Sequence, residues 1–113
     1  MANNMRKLLS GVGFGAALFS FLSVAYADDY LLTIKDHQFV PKHLVIPANT
    51  QVRLTVKNLD SDPAEFESTD FNREKLVTPG KSITVLIGPL SPGVYGFFDD
   101  FHRDTTTGTI TVK

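Results

Sequence analysis

Residues 44–58 read LVIPANTQVRLTVKN, and this stretch decides the fold class. After the turn signal PAN at 47–49, Val52, Leu54 and Val56 alternate strictly with polar neighbours. A period of two places these three side chains on one face of an extended strand and the polar ones on the other. The stretch therefore predicts two strands separated by a turn, the second of them half-buried.

The same pattern continues on both sides of this stretch. Further predicted strands are YLLTI (30–34), AEFES (64–68), SITVLI (82–87), VYGFF (94–98) and TGTITV (107–112), with Pro- and Gly-containing turns at short intervals. The segment STDFNREKLV (68–77) is where we expect a helix, if the chain has one. Short strands at this spacing predict an all-β fold, a Greek-key antiparallel β-sandwich or barrel of about seven strands.

The N-terminal segment has the three parts of a secretory signal. Arg6 and Lys7 form a basic region, residues 8–24 are almost entirely apolar or small, and Ala25-Tyr26-Ala27 is a small-x-small cleavage site. We expect a signal peptide at 1–27, a single domain at 28–113 and a periplasmic location. An uncleaved membrane anchor is the alternative.

Composition narrows the functional classes further. Without Arg6 and Lys7, nine Lys and Arg remain against twelve Asp and Glu, which disfavours nucleic-acid binding. The chain has no cysteine, so it forms neither a disulfide scaffold nor a thiolate metal site. Both methionines lie in the predicted signal segment.

The segment FFDDFHRDTTTG (97–108) carries the most unusual chemistry. Two adjacent acids and a histidine follow an apolar strand. If Phe97 points into the sandwich, so does Asp99, and an ionised carboxylate there must bind a cation, accept hydrogen bonds or hold a proton. Asp100 faces the other way unless the loop turns early, so the sequence does not decide which of the two acids is the inward one. His102 is a candidate ligand, since neutral imidazole binds copper, zinc and ferrous iron.

Most of the predicted mature chain resembles the cupredoxin family. The resemblance rests on residues 39–58, which follow the pattern F-x-P-x-x-L-x-I-x-A-N-x-x-V-x-L-x-V-x-N, and on PLSPGVYGFFDDFHRDTTTGTITV (89–112). In that family the last two strands carry G-x-Y-x-F-x-C-x-x-H, a loop with methionine, and G-x-I-x-V. The resemblance implies a metal site at one end of the sandwich, with His102 at a ligand position.

The departures from this family pattern are equally informative. Asp99 falls where the cysteine ligand belongs, threonines replace the methionine loop, and Ala64 and Glu65 follow Pro63 where a histidine is expected. A blue-copper site depends on a thiolate ligand. We therefore expect the fold without blue-copper electron transfer.

A closer resemblance is to the periplasmic cupredoxin-like proteins of bacterial iron-permease uptake systems and to the EfeO-type cupredoxin-like domain. It rests on EFESTDFNREKLVTPG (65–80) and on GPLSPGVYGFFDDFHRDTTTG (88–108). It implies a copper or iron ion as cargo or cofactor, and a membrane iron permease and other periplasmic uptake components as partners.

Seven residues are candidate metal ligands, and each has a structural alternative. Asp99 is alternatively a cap for the following loop; Glu65 and Glu67 share a face opposite Phe66 and are alternatively solvated; Glu74 is included on the resemblance alone. His37 either approaches the same end of the sandwich or lies on the surface, where His43 is expected. The full set is His102, Asp99, Asp100, Glu65, Glu74, His37 and Glu67.

The predicted function is that of a periplasmic metal-binding protein handling iron and/or copper in iron uptake. Carboxylates and imidazoles without sulfur favour iron, manganese or Cu(II) over Cu(I). A catalytic role in Fe(II) oxidation is less favoured than metal binding alone. Two alternatives stay open: a protein-interaction module that has lost its metal site, and a periplasmic copper carrier.

Overall fold

The computed structural model describes residues 29–113, so the predicted signal segment lies outside the described residues. This part of the chain folds into strands β1 (Asp29–Lys35), β2 (Gln38–Val40), β3 (His43–Ile46), β4 (Val52–Asn58), β5 (Ala64–Ser68), β6 (Arg73–Val77), β7 (Ser82–Ile87), β8 (Gly93–Asp99) and β9 (Thr107–Val112). A 3₁₀ turn at Asp100–His102 follows β8. Between residues 29 and 113, no helix is long and apolar enough to cross a membrane.

The strands form two sheets with the core between them, which confirms the predicted all-β sandwich. One sheet has the order β3-β9-β8-β5-β6 and the other β2-β1-β4-β7. The pairings β3 with β9 and β1 with β4 are parallel, whereas we expected antiparallel pairing. A period-two pattern shows which face of a strand is buried, but it does not give the strand's direction relative to its neighbour.

Two of the nine described strands were not predicted. Strand β2 has three residues, which is too short for a recognisable alternation. Strand β6 lies within 68–77, where we expected a helix if the chain had one. It pairs antiparallel with β5 at the edge of its sheet, and this tertiary pairing overrides the weak local pattern.

Three phenylalanines from both sheets form the part of the core closest to the candidate site. The ring centroids of Phe39 and Phe97 are 4.9 Å apart in an edge-on arrangement, and those of Phe66 and Phe97 are 5.4 Å apart. All three side chains are buried. Since Phe66 on β5 is in register with Asp99 on β8, this packing fixes the ends of the two strands from which the site is built.

Gly108 on β9 leaves no room for a side chain. A Cβ atom there would collide with the Phe97 ring and lie 2.7 Å from the Lys42 carbonyl oxygen. We expect Gly108→Ala to lower the free energy of unfolding by about 2 kcal/mol, as in other overpacked cores. Urea denaturation checks this, with Gly93→Ala as the matched control because its Cβ would meet only ordinary contacts to Tyr95. Equal losses in the two variants would contradict the prediction.

Candidate metal centre

The loops after β1 and β4 and the end of β8 meet at one pole of the sandwich. Strands β1 and β4 are parallel and in register from Asp29↔Arg53 to Ile34↔Asn58, so both end at the same level. The N–H of Glu65, at the start of β5, donates to the Asp99 carboxylate at the end of β8 over 2.9 Å. These strand ends bring together the side chains of three separate segments.

Asp99 is the inward acid of the DD pair, a choice that the sequence left open, and its carboxylate is only 1% exposed. Its Oδ1 accepts hydrogen bonds from the N–H groups of Glu65 and Phe101, at 2.9 and 3.0 Å. Its Oδ2 lies 2.8 Å from Nδ1 of His102. Protein donors thus surround the carboxylate, and its contacts with the loop match the capping alternative rather than a position among the ligand atoms.

The first candidate group consists of His37, Asp62 and His102. One ligand atom from each lies within 4.8 Å of the other two. His37 Nε2 is 2.9 Å from Asp62 Oδ2, and the two imidazole rings are stacked with centroids 4.1 Å apart. Two imidazoles and a carboxylate are an established type of ligand set for divalent transition metals. His37 and His102 therefore lie at the same pole, as one of the two alternatives for His37 anticipated.

A network of polar side chains holds this first group in place. Asp60 accepts hydrogen bonds from the N–H groups of Asp36 and His37, at 2.7 and 2.9 Å, where both residues have positive φ angles of 53° and 57°. Burial raises the pKa of Asp60, but these bonds outweigh that effect, so its pKa lies below the usual value. The fully buried Asn58 donates to the Asp62 carbonyl oxygen over 2.7 Å. These hydrogen bonds hold the loops that carry His37 and Asp62 in place without a bound ligand.

The second candidate group consists of Glu65, Glu67 and Asp100 on the outer face of the five-stranded sheet. Their ligand atoms also lie within 4.8 Å of one another, and Glu74 stands directly opposite Glu67 on the neighbouring strand. Asp100 is the outward acid of the DD pair and forms an ion pair of 2.6 Å with Arg103. Glu65 and Glu67 thus share a face opposite Phe66, as predicted, and that face carries further acids.

The Glu65 carboxyl has a raised pKa. Desolvation, followed by hydrogen bonding and repulsion from Glu74 and then Asp100, raises its pKa to about 7 from 4.5. Between about pH 4.5 and about pH 7, the Glu65 carboxyl is therefore protonated in the folded chain and ionised in the unfolded chain. The stability that this difference provides is complete below about pH 4.5 and is lost as the pH rises through about 7.

Glu65→Gln is expected to become more stable relative to the wild type as the pH rises. The substitution removes a carboxylate that repels its neighbours above about pH 7, and it changes little where the group is already protonated. Urea denaturation of metal-free protein at about pH 5 and about pH 8 measures the difference. Asp104→Asn, in the exposed turn after His102, is the control. A gain of equal size at both pH values would show that the effect is not due to titration.

Sequence reasoning missed Asp62. The family pattern expects a histidine after Pro63, and the candidate ligands were therefore sought after that proline. The carboxylate that approaches His37 comes instead from the residue before the proline. The available signal was the position of Asp62 beside that proline. His43 is exposed and lies 2.7 Å from the Thr109 hydroxyl, in agreement with its predicted surface position.

Comparison with known proteins shows which family the chain belongs to. The family model described as cupredoxin-like domain matches residues 12–112. The chain belongs to the cupredoxin-like family. The chain is 49% identical over 82 residues, 73% of its length, to an uncharacterized protein of Rickettsia prowazekii (strain Madrid E), of which the match spans 66%.

Solved cupredoxin structures have the same fold as this cupredoxin-like chain. A purple cupredoxin from Nitrosopumilus maritimus is 26% identical with a TM-score of 0.59, covering 75% of this chain and all of that one. The metal binding domain of a Cu(I)-exporting P-type ATPase from Streptococcus pneumoniae D39, solved with Cu(I), is 11% identical with a TM-score of 0.66, covering 75% of this chain and 84% of that one. The chain therefore shares its fold with both proteins, the second of which was solved with Cu(I).

A blue-copper centre does not fit this cupredoxin-like chain. Such a centre needs a cysteine thiolate, the chain has no cysteine, and Asp99 at the corresponding motif position is engaged by protein donors. The donor set of His37, Asp62 and His102 instead fits a cation bound by nitrogen and oxygen.

Proposed function

We propose that this protein is an exported metal-binding protein that handles iron and/or copper in a bacterial iron-uptake system. The observation that carries the proposal is the grouping of His37, Asp62 and His102 at one pole, on loops held by polar side chains. The two imidazoles and the carboxylate come from three separate segments of the chain and meet at this pole.

The ligand chemistry supports iron and Cu(II) as the cargo. Two imidazole nitrogens and a carboxylate oxygen would hold the ion, and the absence of cysteine and of methionine outside the predicted signal removes the ligands that favour Cu(I). An arriving cation would replace the hydrogen bond of 2.9 Å between His37 Nε2 and Asp62 Oδ2 with bonds from both groups to the metal.

Export and the uptake partners are supported by sequence features. The N-terminal pattern is that of a signal peptide, and the segments 65–80 and 88–108 resemble proteins that accompany iron permeases. In this proposal the domain carries its ion in the periplasm and meets a membrane iron permease and other uptake components with its metal pole.

Equilibrium dialysis tests the metal-binding part of the proposal. Purified protein is dialysed against micromolar Cu(II), anaerobic Fe(II), Fe(III) citrate or Zn(II), and bound metal is counted. We expect about one ion per chain for the wild type and for His43→Ala, and a loss of stoichiometric binding in the double variant His37→Ala/His102→Ala. Absence of bound metal from the wild type would overturn the proposal.

The iron-uptake part needs a cellular measurement. Deletion of the coding sequence in the source bacterium should lower accumulation of radioactive iron under iron limitation. The wild-type sequence should restore it and the double histidine variant should not. Unchanged accumulation in the deletion strain would remove iron uptake and leave a metal-binding protein of another purpose.

The contacts of Asp99 favour one alternative function in part. If the metal site has been lost and the sandwich serves as an interaction module, Asp99 should be satisfied by protein hydrogen bonds, as it is. That alternative leaves the gathering of His37, Asp62 and His102 without a purpose. The dialysis experiment separates the two functions directly.

A further inference from the structure

We propose that Asp99 is a positioning residue that fixes the tautomer and orientation of His102, so that Nε2 is the nitrogen available to a metal. This inference rests on the proposed metal-binding function, since it concerns how one ligand of that site is prepared. It assigns the buried carboxylate a role beyond capping the loop.

The tautomer follows from the donors and acceptors around the ring. A carboxylate offers only lone pairs, whereas neutral imidazole has one N–H donor and one acceptor nitrogen. Asp99 Oδ2 lies 2.8 Å from His102 Nδ1, so with Asp99 as an acceptor the geometry assigns the proton to Nδ1. The lone pair of the ring is then on Nε2.

The orientation of the ring is fixed from two directions. The contact with Asp99 holds one edge of the His102 ring, and one face stacks on His37 with an angle of 23° between the planes. His102 is partly exposed, with 28% of its side chain accessible, so it lies within reach of solvent and of an arriving ion.

Asp99 itself is rigidly held. Its Oδ1 accepts two backbone N–H groups, and its own N–H donates to the Thr106 carbonyl oxygen over 2.9 Å. The Thr106 N–H in turn donates to the His102 carbonyl oxygen over 2.9 Å, closing the loop that carries the ring. A carboxylate behind a metal-binding histidine typically changes metal affinity by about 10- to 100-fold.

The variant Asp99→Asn separates positioning from capping. Its amide oxygen can still accept the N–H groups of Glu65 and Phe101, but its NH₂ group then faces Nδ1 of His102 and donates to it. The ring must move its proton to Nε2, which blocks the nitrogen proposed to bind metal. Capping is retained while the tautomer is reversed.

Two measurements test the proposal. Long-range ¹H–¹⁵N NMR of metal-free protein, recorded at about pH 8, should show His102 with its proton on Nδ1 in the wild type and on Nε2 in Asp99→Asn. Competition titration should show Cu(II) affinity lowered by about 10- to 100-fold in that variant. Asp104→Asn also replaces an aspartate by asparagine, but in the exposed turn after His102, and it should change neither result.

Each outcome has a defined meaning. A wild-type His102 protonated on Nε2 overturns the proposal whether or not any variant folds. A folded Asp99→Asn protein with the wild-type tautomer or unchanged Cu(II) affinity also overturns it. If His102→Ala binds Cu(II) as tightly as the wild type, the proposed metal function at this pole fails, while the NMR result still decides the role of Asp99 in setting the tautomer.

Discussion

Excess Cu(II) or anaerobic Fe(II) is expected to raise the melting temperature of the purified protein by about ten degrees or more. A ligand that binds only the folded state adds about 2.7 kcal/mol to the free energy of unfolding when its free concentration is about a hundred times the Kd. In a domain of this size each kcal/mol corresponds to several degrees. Thermal unfolding followed by circular dichroism, with and without each metal, measures the shift.

Histidine variants locate the shift within the molecule. His102→Ala and His37→Ala should each lose most of it, because each removes one ligand atom from the group that also contains Asp62. His43→Ala should keep the full shift, because that side chain is exposed and contacts Thr109. A shift that survives in both site variants would move the metal to other residues, and no shift with any metal would make the interaction module the leading function. Cu(II) should give the largest effect among divalent ions, so the size of its shift does not identify the biological metal.

The sequence was sufficient to predict the β-sandwich because the buried face of a strand follows from the alternation of neighbouring residues. Val52, Leu54 and Val56 alternate with polar residues, and all three are buried in the structure. Alternation does not give the direction of a strand relative to its neighbour, and this direction determines which loops meet at the candidate site. The parallel pairing of β1 with β4 brings the end of one beside the end of the other, and so places His37 near Asp62.

The candidate site could be predicted only where strand alternation reached it. Alternation correctly gave the shared face of Glu65 and Glu67, and it favoured Asp99 as the inward acid without deciding between it and Asp100. It could not show that backbone donors from two segments would surround the Asp99 carboxylate, because those contacts depend on how β5 and the 3₁₀ turn meet β8. Nor could it find Asp62, which lies in a loop.

Asn58→Ala is expected to lower the free energy of unfolding by about 3 kcal/mol and to weaken metal binding. The side chain is fully buried, and its amide donates to the carbonyl oxygens of Asp62 and Val77 at 2.7 and 3.0 Å. Its own oxygen accepts the Asp60 N–H over 2.9 Å. Each such bond contributes about 1 kcal/mol, and buried partners left unpaired add to the loss.

The effect on metal binding follows from the position of Asn58 behind two of the three ligands. It holds the Asp62 backbone directly, and it holds Asp60, whose carboxylate fixes the backbone N–H of His37. Urea denaturation gives the stability, and Cu(II) titration below the melting temperature gives the affinity. Gln51→Ala, which removes an exposed amide just before β4, should change neither. If Asn58→Ala loses stability but keeps the wild-type affinity, the metal site does not depend on these loops, and the preorganisation inferred from the hydrogen bonds would be wrong.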